Sequence, residues 1–296
     1  MEGRDATAVA VRPETLGSPG RREGFGDLAL AAASSKTFLT GAAILVFWVF
    51  VALFWGVVAP YDPQAVDPTA SLAPPSAEHW FGTDNLGRDV LSRVLAGASS
   101  VLTVAPLGTA LGMVGGIAVG LITGYYRGRV DDVVMRVVDA LLAFPLIIIA
   151  VLVLSVLGSS KVNVVLVIGV VFTPIVARTV RSAVLSERER EYVAAARLRG
   201  ESGGYIMASE ILPNILSPIA VEATIRLGYA IFTSATLSFL SLGIQEPSPD
   251  WGLTISLGRV YLQAAPWVVV FPALALATLV VAVNLVADGL LQAVEE

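Results

Sequence analysis

Long apolar runs, separated by short polar connectors, dominate this chain. Six windows of about 20 mainly apolar residues stand out: Phe38–Ala59, Val101–Gly124, Val133–Leu157, Val162–Val180, Ile215–Leu242 and Trp267–Leu290. At 1.5 Å per residue, about 20 helical residues cross about 30 Å of hydrocarbon. Lipid offers a backbone nothing to bond, and a helix satisfies its polar groups within the segment. The pattern therefore predicts an all-α polytopic membrane protein with about six transmembrane helices. Only Gly158, Ser159, Ser160 and Lys161 separate the third window from the fourth, so these two form an antiparallel hairpin.

The connectors differ from one another. Residues 1–36 are rich in Gly, Ala, Arg, Glu and Ser, with Pro13 and Pro19, and read as a largely disordered tail. The first window, 37–59, follows. Residues 60–100 form a long connector whose prolines 60, 63, 68, 74 and 75 keep it extended at first. From Asp89 to Leu95 it turns amphipathic, with Val90, Leu91, Val94 and Leu95 on one face, and predicts a short helix on the rim of the bundle. Such a segment serves as a lid over a pathway or as a docking surface. The core runs 101–290, with a connector at 182–213 and a short tail at 291–296.

The 182–213 connector carries its own plan. Glu187–Arg199, EREREYVAAARLR, mixes Glu, Arg and Ala and predicts a helix. Gly200 ends it, Gly203 and Gly204 give a break, and an apolar stretch Tyr205–Leu212 is stopped by Pro213. A helix projecting from the bilayer in this way is either a docking element or a solvated loop.

Charge sets the orientation. Of the 19 Lys and Arg residues, all but Arg88, Arg93, Lys161, Arg226 and Arg259 fall in the tail, at the second-to-third turn, or in and beside the 182–213 connector. Basic residues favour the cytoplasmic side. Both termini and the 182–213 connector are therefore expected in the cytoplasm, with 60–100 and the connector after Leu242 outside.

Composition narrows the function. The chain is 55% hydrophobic and only 15% charged, against about 25% charged in soluble domains. Such apolar surface needs the lipid bilayer as solvent. No cysteine is present, which excludes thiol chemistry and Cys-ligated zinc, and His79 is the lone histidine. No metal site or catalytic constellation emerges. A net charge of −5 does not suggest nucleic acid. Neither Lys36 nor Lys161 follows a glycine, so the chain lacks the Gly-Lys-Ser/Thr phosphate cradle of an ATPase.

Small and polar residues interrupt the apolar code. Gly108, Gly112, Gly116, Gly120 and Gly124 repeat every four residues along one helix face, which predicts close approach to a neighbouring helix. Arg226 follows Glu222 by one turn; pairing or snorkelling and a pathway role are both open. Asn284 and Asp288 share a face near the end of the last window, where an interfacial place is expected. Pro145, Pro174 and Pro272 are candidate bends.

Three stretches together resemble a known family. Glu191-Tyr192-Val193-Ala194-Ala195-Ala196-Arg197-Leu198-Arg199-Gly200, followed by Ile211-Leu212-Pro213-Asn214, resembles the EAA loop of ABC importer permeases, with Ala194 where the family has Glu. Phe81-Gly82-Thr83-Asp84 with Gly87-Arg88-Asp89, then Ser92, Arg93 and Gly97, resembles a signature of the second permease in dipeptide and oligopeptide importers. Leu237 to Gly243, with Gln245, Pro247, Pro249, Trp251 and Gly252, resembles a further stretch of that branch, with Ser241 and Glu246 where Gly and Pro are usual. Asp139, Phe144, Pro145, Asn284, Asp288 and Gly289 extend the match.

The resemblance implies a MetI-like ABC permease core. It further implies a second homologous permease subunit, two ABC ATPase subunits that bind ATP and Mg and dock on the 182–213 loop, and an extracytoplasmic solute-binding protein. It places the chain in a prokaryotic cytoplasmic membrane. Short peptides are the expected cargo, with nickel chelates or glutathione as alternatives. A rival class, an ion-coupled carrier or channel, would need acidic groups near the midplane, and only Glu222 and Asp288 are candidates. A membrane scaffold without transport is the third.

Overall fold

The computed structural model describes residues 35–295, and the expected tail at 1–34 lies outside them. Ten helices carry the described chain: α1 Lys36–Val58, α2 Val90–Tyr126, α3 Gly128–Leu142, α4 Leu146–Leu157, α5 Lys161–Glu187, α6 Glu191–Leu198, α7 Gly203–Asn214, α8 Leu216–Phe239, α9 Trp251–Gly258 and α10 Trp267–Glu295. Four of them, α1, α2, α5 and α10, are long and apolar enough to span a membrane alone, and six spans result if α3 with α4 and α7 with α8 each count as one. Among the described residues there is no β-strand, only a single bridge between Thr83 and Asp89.

Capping side chains fix where several helices begin. Asp89 accepts from the Ser92 amide, Ser160 from Asn163 and Asp250 from Leu253, each at 2.8–3.1 Å. The expected rim helix at 89–95 is corrected: Val90 opens α2, which continues unbroken for 37 residues, or about 55 Å. The Asp89 cap starts the helix, and nothing after Leu95 stops it. The connector before α2 therefore ends at Asp89, short of the expected residue 100.

The third window is also corrected. It is two helices, α3 and α4, bent by 86°. Pro145 cannot donate a backbone bond and crowds Phe144 out of helical geometry, so the chain turns there. Pro174 and Pro272, in contrast, lie inside continuous helices. In the 182–213 connector, α5 runs on to Glu187 and α6 begins only at Glu191, so the single helix expected over 187–199 is broken at residues 188–190. At the far end α10 continues past the expected Leu290 through Glu295.

The glycine repeat builds the central seam. A methyl at Gly108 would lie 2.8 Å from Ile168, at Gly112 2.9 Å from Phe172, at Gly116 2.4 Å from Val176, and at Gly120 and Gly124 2.7 Å from Val180 and Val184. Both rows advance by four residues per contact, so α2 and α5 run parallel with their backbones in near contact. On the other side of the bundle Gly41 of α1 abuts Ala282 and Leu285 of α10, and Trp48 Nε1 donates to Thr278 at 3.1 Å. Beyond Thr40 the outward face of α1, including Val46, Phe47, Leu53 and Val57, is exposed and apolar, as suits a lipid-facing surface.

Candidate functional site

Two polar assemblies sit at opposite ends of this bundle. The first is a foot made by α6 and α7. On α6 the side chains of Val193 and Ala196 are fully buried and join Val176, Val180 and Val184 of α5 with Ile206 and Ile211 of α7 in a second apolar cluster. Leu212 packs against the same cluster, and Pro213 sits exposed beside it before α8. Gly200 has φ +78°, a region that L side chains rarely adopt. Its amide bonds Arg197 O at 3.0 Å and that of Glu201 bonds Ala196 O at 3.2 Å. This is the Schellman pattern that ends a helix.

Side chains pin the foot to the spans. Arg188 Nη1 donates to the Tyr125 carbonyl at 2.5 Å, occupying the otherwise open end of α2. Arg197 lies over the Tyr125 ring at 5.4 Å, and Arg199 donates to Glu210 at 3.1 Å. Tyr192 donates to Glu187 at 2.8 Å. Burial and that carboxylate push the Tyr192 hydroxyl well above the usual phenol range.

The outward side of α6 is different. Glu191, Ala194, Ala195 and Leu198 are all exposed, and Leu198 is 90% exposed. Their spacing of three, four and seven residues makes a single stripe. A large, bare leucine between small alanines is a knob with room around it. Ala194, which replaces the resembled Glu, lies on this stripe, so a carboxylate there would have served an outside partner rather than the foot itself. Of the loop residues singled out, Ala196 thus builds the foot, while Ala194 and Ala195 face out. Leu198 was not singled out in the sequence, although its place one turn beyond Ala194 and Ala195 carried the signal.

The second assembly is a clasp that joins the 81–93 stretch to the 245–252 stretch. Asp84 accepts from the amides of Leu86 and Arg88 at 2.9 and 3.0 Å and from Arg88 Nε at 2.7 Å. Arg88 in turn reaches Glu246 with both terminal nitrogens, at 2.8 and 3.3 Å. Burial disfavours the Arg88 charge, yet the Glu246 bond and the Asp84 attraction outweigh it and hold its pKa above the usual value. Arg93, fully buried, donates to Pro63 O at 3.2 Å and lies 3.6 Å from Glu246 and 3.7 Å from Asp84. Glu246, the departure from the resembled motif, is therefore the carboxylate that ties both arginines across the clasp.

The remaining motif residues close it. Asp89 meets His79 Nδ1 at 2.9 Å, and Thr83 O accepts from Trp267 Nε1 at 3.0 Å. Phe81 stacks on Phe271 with ring centres 3.8 Å apart, beside Gly82. Gly87, at φ +73°, has no room for a methyl, which would lie 1.8 Å from Asp67 O. Gln245 Nε2 donates to Ser241 O at 2.9 Å. Trp251 is fully buried, donates to Val94 O at 2.8 Å and meets Trp48 edge-on at 5.0 Å. Gly252 passes so close to α8 that a methyl would lie 2.2 Å from Ala235 O. Pro247 and Pro249 border a cavity of about 500 Å³ shared with Trp55, Ser100 and Lys161.

Removing the Glu246 carboxylate leaves two buried cations under-compensated. Glu246→Ala is expected to cost about 1–2 kcal/mol, since the group itself is partly wet. A lowered thermal midpoint of the detergent-purified protein, partly restored in Glu246→Gln, would show it. An unchanged midpoint would refute the clasp.

Inside the spans, Glu222 and Arg226 approach to 2.8 Å and the guanidinium covers the Tyr229 ring at 4.9 Å, so pairing is realised. Among the described residues no cluster of metal-ligating side chains occurs.

Comparison with known proteins identifies a family for this sequence. Residues 116–296 match the family described as binding-protein-dependent transport system inner membrane component, and residues 33–75 match the N-terminal TM domain of oligopeptide transport permease C. A dipeptide transport system permease protein DppC of Alkalihalophilus pseudofirmus is 39% identical over 88% of this chain and 86% of its own length. A di/tripeptide transport system permease protein DppC of Pseudomonas aeruginosa is 38% identical over 89% of each. A glutathione transport system permease protein GsiD of Escherichia coli is 40% identical over 87% and 85%. With more than half its length inside one family profile, and with relatives 38–40% identical over most of both chains, the chain belongs to the inner membrane components of binding-protein-dependent transport systems, the permease subunits of ABC importers.

Proposed function

We propose that this chain forms half of the translocation pathway for di- and oligopeptides across a prokaryotic cytoplasmic membrane, paired with a second, homologous permease. The foot lies in the cytoplasm, where the basic residues concentrate. Two ATPase subunits, which hold ATP and Mg, receive the α6 stripes of the two permeases. A solute-binding protein delivers cargo at the clasp end.

The observation that carries this reading is the bare stripe Glu191, Ala194, Ala195 and Leu198 on a helix whose opposite side is welded to α5 and α7. A bare leucine knob suits a cleft in another protein, and a welded base lets a push on the knob move the spans. ATP shifts the transporter only if the foot's contacts differ between its two states. The names of the relatives, which cover dipeptides, tripeptides and glutathione, support peptide-like cargo. The pairing of Glu222 with Arg226 removes one of the two acidic groups an ion-coupled carrier would use.

Leu198→Asp tests the docking. The variant is expected to assemble and reach the membrane, since Leu198 supports nothing inside the chain, but to lose peptide-stimulated ATP hydrolysis and uptake of labelled dipeptides by about tenfold or more. Gly200→Val, which strains the helix end, should weaken ATPase co-purification as well. Normal hydrolysis and uptake in both variants would remove the foot from the coupling route.

A further inference from the structure

A groove between α8 and α10 opens polar side chains to the outside of the bundle. It is a cavity of about 500 Å³ lined by Tyr229, Phe232, Asn284 and Asp288, with Ile225 and Gly228 at its base. Asn284 and Asp288 are exposed although both lie on a membrane-spanning helix. Asn284 follows Trp267 by 17 residues, a descent of about 25 Å, which keeps it within the hydrocarbon depth if Trp267 marks the opposite interface. The exposed faces of α1 and α5 carry Val46, Phe47, Leu53, Val57, Val162, Leu166 and Val170 for much of their length, and Arg178, an exposed charge on α5, is paired with Asp139.

An unpaired amide facing lipid at the depth of Asn284 is costly, and Asp288, one turn further at about 31 Å from Trp267, lies at the far interface, where a carboxylate needs water. The neighbouring charges do not relieve it. Arg226 is taken by Glu222 and stacked on Tyr229. Among the described residues neither Asn284 nor Asp288 has a side-chain partner. Room for them is deliberate, since a methyl on Gly228 would lie 3.0 Å from Asn284 Oδ1.

We infer that this groove is a wet wall of the translocation pathway, and that Asp288 and the Asn284 amide oxygen receive the ammonium group of a passing peptide. A carboxylate, an amide oxygen and the aromatic rings of Tyr229 and Phe232 together match a primary ammonium on a small apolar body. The assignment rests on the peptide reading above and gives that reading a specific contact.

The absence of cysteine makes the test direct. Asn284→Cys, in the assembled transporter, is treated with a cationic and an anionic water-soluble methanethiosulfonate of similar size, and modification of this chain is read by mass. Both reagents should react, the cationic one faster. Adding Asp288→Asn should reduce that cationic preference about tenfold, and saturating dipeptide with binding protein and ATP should slow both. No modification means that lipid or a partner helix fills the groove and overturns the inference, as does a preference that ignores Asp288→Asn or modification that dipeptide leaves unslowed. A wild-type complex that imports no peptide would sink the cargo reading instead, and its uptake is measured separately.

Discussion

Gly116→Leu is expected to abolish recovery of folded permease from the membrane. A methyl at residue 116 already lies 2.4 Å from Val176 Cβ, and the isobutyl group would drive α2 and α5 apart along a seam that buries both helices. Overpacking a filled interior costs about 1–3 kcal/mol, and this site offers backbone and β-branched atoms rather than a flexible side-chain tip. The monodisperse peak of a fluorescent fusion on size exclusion should fall about tenfold or more. Gly56→Leu is the control, because nothing lies within 4 Å of Gly56. Equal losses in both variants would show that added bulk, not the seam, matters, and a normal peak for Gly116→Leu would refute the seam.

Trp251→Ala should destabilise the opposite end by about 3–5 kcal/mol. The indole is fully buried, donates to Val94 O at 2.8 Å, meets Trp48 at 5.0 Å and fills the space over Gly97. Its loss leaves a large cavity where α9 meets α2 and removes the hydrogen bond that ties the two helices. Trp251→Phe keeps most of the volume and should lose far less. Thermal unfolding of the purified complex and protease sensitivity of the 243–266 segment measure both. Equal midpoints for Trp251→Ala and the parent would exclude the tryptophan as the anchor.

The spans were legible because lipid imposes one solution on an apolar run, and the glycine repeat was legible because a period of four can only describe one helix face. What that face touches was not legible. The row Ile168, Phe172, Val176, Val180 and Val184 is ordinary apolar text until the fold sets it against Gly108 to Gly124. The break at Pro145 was visible as a candidate, but Pro174 looked the same, and only the surrounding packing separates them. The continuation of α2 through the expected rim helix was hidden for a related reason: the outer turns carry Ser92 and Arg93, whose polar partners come from residues 60–89 and 246 and cannot be read locally. Resemblance supplied the motif residues of the clasp and foot. It did not supply Glu246, whose role appears only when Arg88 and Arg93 arrive beside it, nor Leu198, which the family pattern leaves unmarked.

One helix reaches both assemblies. Its first turn is capped by Asp89 inside the clasp, and its last carbonyls are held by Arg188 and its Tyr125 ring by Arg197 of the foot. Pro106 removes one backbone bond from α2, yet the helix stays continuous; α2 behaves as a connecting rod, and α5 is geared to it tooth by tooth. A tilt imposed at one end of this rod is therefore carried by α2 and α5 together to the other end of the bundle.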